Sequence, residues 1–75
     1  MTKYEVEFES TGEISEFKTV EEAVRYVYHT AHSFGQMPLI EVRERVASGE
    51  DVAIYEPGNG GHAGDLSDGS IRRVK

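Results

Sequence analysis

The stretch TVEEAVRYVYHTAHSFG, residues 19–35, constrains this chain most, because it reads as one amphipathic helix with a stop signal at each end. Thr19 can accept from a first-turn N–H, and Glu22 can reach back to the Thr19 N–H, completing a capping box. Gly35 suits the left-handed residue that closes a helix, and Pro38 discourages continuation. Between them Val20, Val24, Val27, Ala31 and Phe34 recur at intervals of four and three, with Ala23 alongside. At about 100° per residue they share one stripe. β-Branched valines weaken an isolated helix, so the stripe must be buried, and a sheet is the expected partner. His29 points directly away from the stripe, and Arg25, Tyr26 and His32 are also predicted to face solvent.

The sheet is announced by residues 3–10, KYEVEFES, which place Tyr4, Val6 and Phe8 on one side and Glu5, Glu7 and Glu9 on the other. A two-residue turn at Thr11-Gly12 predicts the pairs Phe8–Ser15, Val6–Phe17 and Tyr4–Thr19 on the apolar face. Glu5–Lys18, Glu7–Glu16 and Glu9–Ile14 then pair on the opposite face. Residues 37–49 fit a helix entered at Pro38, with Leu39, Val42 and Val46 on a stripe, a Glu41–Arg45 pair and Gly49 as the stop. They also fit a strand carrying Ile40, Val42 and Val46 on one face; the helix is preferred. VAIYE (52–56) and SIRRVK (70–75) read as strands.

The order ββααββ, or ββαβββ if residues 39–47 are extended, predicts one small α+β domain over 1–75. Its antiparallel sheet packs on the central helix. Tyr4, Val6, Phe8, Phe17, Val20, Val24, Val27, Ala31, Phe34, Leu39, Val42, Val46, Val52, Ile54 and Ile71 form the expected core.

The formal net charge is −6 over 75 residues, and three of the eight basic side chains (Arg72, Arg73, Lys75) lie in the last four positions. Such a body repels phosphate, so no direct nucleic-acid binding is expected, whereas a basic protein surface would attract it. The basic tail can solvate the terminus or offset the hairpin glutamates. There are no cysteines, which excludes disulfides, thiolate metal sites and a cysteine nucleophile. No apolar run approaches a membrane span and the polar start is unlike a signal peptide, so a cytoplasmic location is expected, in the host cell if a phage encodes the chain.

Chemical motifs are sparse. Between Glu56 and Ser70 lie five glycines, and Gly58, Gly60 and Ala63 fit G-x-G-x-x-A, but no helix follows to receive a pyrophosphate. Asn59, Asp65 and Asp68 could meet a calcium ion, yet the glycine-aspartate repeats that build such sites need stacked copies. His29, His32 and His62 would have to converge for zinc, which the outward course of His29 opposes. Ser33 beside His32 diverges from it on a helix and makes no nucleophile. No catalytic residue, cofactor or metal site is expected. The segment RERVASGEDVAIYE, residues 43–56, resembles the helix-to-strand junction of small bacterial antitoxins, but the acidic hairpin before it departs from that family, whose function is not carried over.

The sequence thus predicts a non-enzymatic acidic protein-binding module, an inhibitor or adaptor of the kind phages encode, docking on a basic surface of a partner protein. Glu5, Glu7, Glu9, Ile14 and Glu16 form the expected contact surface, aided by Tyr26 and Tyr55. The alternatives are a homo-oligomer, such as a dimer, assembled through a sheet edge such as the last strand, and a small-ligand or metal binder using loop 57–69.

Overall fold

The alternating N-terminal segment does form a hairpin, and its first strand becomes an interior strand of a larger sheet. The computed structural model describes residues 2–56 and 67–74. They form β1 (Lys3–Phe8), β2 (Glu13–Phe17), α1 (Val20–His29), α2 (Leu39–Ala47), β3 (Val52–Ile54) and β4 (Gly69–Val74). The four strands are antiparallel in the order β2-β1-β4-β3, an α+β arrangement.

The hairpin register differs from the expected one by two residues: Tyr4 faces Phe17, Val6 faces Ser15 and Phe8 faces Glu13. The connection spans residues 9–12 and closes with the Gly12 N–H donating to the Phe8 carbonyl at 2.8 Å. A slip of two conserves facing, because side chains alternate with period two. Phe17 therefore still joins the apolar side. The last strand is not an open edge: β4 lies between β1 and β3, so both its ladders are occupied. Gly69 permits this, since an added Cβ would overlap the Glu7 carbonyl oxygen across the ladder.

α1 begins as the capping box requires, with the Glu22 N–H donating to Thr19 Oγ1 at 3.1 Å. It ends earlier than Gly35. Ala31 takes φ 66°, and the N–H groups of His32 and Ala31 donate to the carbonyls of Val27 and Tyr28, each at 3.0 Å. This is a Schellman stop with alanine in the position usually held by glycine. Ala31 is consequently exposed instead of entering the core.

Residues 39–47 are helical, which discards the strand alternative. Glu41 and Arg45 pair at 2.9 Å. The same stop recurs with Gly49 at φ 93°, the Glu50 N–H reaching the Arg45 carbonyl at 3.0 Å. Only Val42 and Val46 of α2 are buried. Its stripe is narrow, so Leu39, expected inside, is 37% exposed.

The core unites Val6, Phe8, Val52, Ile54 and Ile71 of the sheet with Ala23, Val24, Val27, Phe34, Val42 and Val46. Each of the larger side chains stabilises by about 1.5–3 kcal/mol on full burial. α1 packs on β1 and β2, and α2 on β4 and β3. Tyr4, Phe17, Val20, Tyr26 and Met37 line the rim. Among the described residues no helix is long and apolar enough to cross a membrane.

Candidate functional site

The face of the sheet turned away from the helices carries Glu5 and Glu7 on β1, Ile14 and Glu16 on β2, and Ser70 and Arg72 on β4. The register sets Arg72 directly across from Glu5. Its guanidinium reaches Glu5 Oε1 through Nη2 at 3.0 Å and Glu7 Oε1 through Nη1 at 3.0 Å. The hydrogen bond to Glu7, joined by that to Glu5 and opposed by burial, raises the Arg72 pKa further. Glu5 and Glu7 thus already have an internal counter-ion, which corrects the expectation of a freely acidic centre. The basic tail does offset the hairpin glutamates, through Arg72.

Glu5 also lies opposite Glu16, where Glu7 was expected. Arg72 on one side and Lys3, 3.8 Å from Glu16 on the other, relieve that like-charge pair.

Charge and apolar surface remain available at β2. Glu9, Glu13 and Glu16 are exposed, and Ile14 is 52% exposed. β2 is the outermost strand, and beside it on the helix side runs a groove of about 310 Å³ lined by Phe17, Glu22, Arg25, Tyr26 and His29. Tyr26 is half-buried, contrary to its expected exposure. From α1 it leans over the hairpin, its ring centroid 5.1 Å from Phe17 and 5.9 Å from Phe8.

Tyr55 does not belong to this surface. It follows β3 at the other end of the sheet, three strand spacings or roughly 14 Å from β2. There it exchanges backbone hydrogen bonds with Ser33 at 2.8 and 3.1 Å.

A second cluster carries no mark in the sequence. The early end of α1 turns His32 inward, so it is not solvated as expected. Its ring stacks on Phe8 at 4.3 Å. Nε2 lies 2.9 Å from Asp68 Oδ2, and Nδ1 lies 3.0 Å from the Thr30 carbonyl. Ser10 Oγ donates to the same Asp68 oxygen at 3.2 Å. Asp68 is the one buried charged side chain among the described residues. Burial opposes its ionisation, but the hydrogen bonds from His32 and Ser10 outweigh that and hold its carboxyl below the ordinary aspartate value.

Ser10 bonds to the carboxylate and not to an imidazole nitrogen, and both ring nitrogens are engaged. The hydroxyl beside the ring, Thr30 Oγ1 at 3.1 Å from Nδ1, also donates to the Val27 carbonyl at 2.8 Å, and the set ties the hairpin loop, the end of α1 and the start of β4 together. Local patterning could not have found it, since the paired residues are 36 positions apart.

Among the described residues no three His, Asp or Glu side chains are grouped to hold a metal ion. His29 lines the groove while His32 is committed to Asp68, so the two do not converge. Residues 57–66, which hold His62 and most of the nucleotide and calcium readings, lie outside the described residues; Asp68 of the calcium reading is described and is engaged as above. Compared with known proteins, the chain matches no family model, no curated protein and no solved structure.

Proposed function

We propose that this protein is a non-enzymatic binding module, an inhibitor or adaptor that docks on a basic surface of a partner protein through the β2 side of its first hairpin. The observation that carries the reading is the uneven distribution of counter-ions. Glu5 and Glu7 share Arg72 as an internal counter-ion, whereas Glu9 in the hairpin loop and Glu13 at the start of β2 stay exposed, and Ile14 is exposed on the outer face of the same strand. Glu16, at 3.8 Å from an exposed Lys3, is only loosely engaged. An apolar side chain amid open carboxylates suits an interface in which charge steers the encounter and apolar burial holds the complex. Tyr26 contributes the floor of the adjoining groove.

The test is capture of a partner from the lysate of the natural host by immobilised protein, with mass spectrometry of what is retained. Wild type should retain a basic partner. Glu13→Lys with Glu16→Lys should lose it while keeping the fold, and association should slow as salt rises. Undiminished capture by the double variant overturns the assignment of the surface.

A further inference from the structure

β2 offers more than charge. It ends the sheet, and among the described residues no backbone group pairs with it from the side opposite β1. An antiparallel strand edge of this kind exposes alternate N–H and C=O groups that an incoming strand can satisfy. α1 overhangs the same edge, and Glu22, Arg25, Tyr26 and His29 recur on it at helical spacing to wall the groove whose floor is Phe17 and Tyr26. The width of one further strand, about 4.8 Å, would lie along that groove.

We infer that the protein recognises an extended basic segment of its partner by strand addition to β2, a mode that rests on the acidic docking proposed above. The added strand alternates its side chains across the sheet. On the outer face, Lys or Arg meets Glu16 beside Ile14. On the helix side, valine or an aromatic residue packs on the groove floor made by Phe17 and Tyr26, with Glu22 bounding it. Backbone bonds give the affinity and the alternating pockets the selectivity.

Charge selects this occupant over a second copy of the chain. Antiparallel pairing of two β2 strands would gather Glu13 and Glu16 of both copies on one ladder and bring together two bodies of net charge −6. A basic strand turns the same glutamates from a repulsion into an attraction.

The probe is a synthetic seven-residue peptide alternating lysine with valine or phenylalanine, blocked at both termini, and the same peptide N-methylated at alternate amides. N-Methylation on the pairing edge removes donors and adds bulk while leaving charge intact. Titration into isotopically labelled protein should shift the amides of Glu13–Phe17 together with Tyr26 and His29. The N-methylated peptide should bind at least roughly tenfold more weakly. Equal binding by both peptides overturns strand addition and leaves acidic docking standing. Absence of binding by both, with partner capture still abolished by Glu13→Lys/Glu16→Lys, has the same meaning. A rise in apparent mass of the protein alone with concentration, coupled to shifts at Glu13–Phe17, assigns the edge to a second copy and also overturns it.

Discussion

The two edges of the sheet are treated in opposite ways. β3 is only three residues long, and the chain caps its end: Ser33 comes alongside Tyr55, the next residue, and exchanges two backbone hydrogen bonds with it. β2 is five residues long and is left open, with Ile14 exposed on it. The bridge does not stand alone. Ala31 turns left-handed where the chain leaves α1, and His32 bonds to Asp68 beside the residue that lies along Tyr55. An unpaired edge is a hazard that folded proteins usually blunt. Here one edge is capped by a backbone bridge and the buried His32–Asp68 hydrogen bond, while the other carries exposed glutamates. On the reading proposed above, those glutamates would repel a like-charged copy and admit a basic strand.

The contrast can be broken most severely at the joint between the edges. Gly69 lets β4 approach β1 closely enough to carry β3. Gly69→Ala should cost about 3 kcal/mol or unfold the protein outright, read by urea denaturation. A variant as stable as wild type would mean that β4 is not held so closely.

The next effect belongs to the sealed edge alone. Asp68→Ala leaves the His32 ring and the Ser10 hydroxyl without their acceptor and should cost about 2 kcal/mol. Amide exchange at Ser33 and Tyr55 should quicken while β1 stays protected. Because the folded state holds the Asp68 carboxyl below its ordinary value, its contribution is present above the unfolded value and is lost as pH falls through the folded one. Asp68→Asn should therefore remove part of the acid-induced loss of stability below the ordinary aspartate range. An acid limb unchanged in the variant would contradict the pairing.

Ala31→Gly acts on the same edge in the other direction. Relieving a left-handed alanine should stabilise by about 1 kcal/mol, seen as a raised melting temperature. The open edge should respond least: Glu13→Lys with Glu16→Lys should alter stability by no more than about 0.5 kcal/mol, since both side chains are exposed. Its effect falls on the partner.

What the sequence made legible follows the same division. Strict alternation in residues 3–8 and the four-three spacing of Val20, Val24 and Val27 are local patterns, so strand, helix and facing can be read from the residues themselves. A turn two residues longer than expected left the faces intact because the slip was even. Pro38, Glu41–Arg45 and Gly49 favoured a helix for α2, but the spacing of Ile40, Val42 and Val46 also fitted a strand, so that segment was less legible.

The sealed edge was not legible. Gly35 is the stronger helix-stop residue, and an alanine at φ 66° runs against its own preference, so the true end of α1 was hidden. With it went His32, its pairing to a distant Asp68, and the Ser33–Tyr55 bridge. The proposed docking set was half visible. Ile14 and Glu16 do lie on the outer face of β2, but the pairing of Glu5 and Glu7 with Arg72 depends on which strand neighbours β1, a nonlocal choice that alternation does not encode.

Amide hydrogen exchange on the protein alone tests the asymmetry most directly. Ser33 and Tyr55 should be protected, while alternate amides between Glu13 and Phe17 exchange near unfolded rates at every protein concentration. Protection of all β2 amides at low concentration would mean that this edge is already covered, and the binding surface proposed for it would be lost.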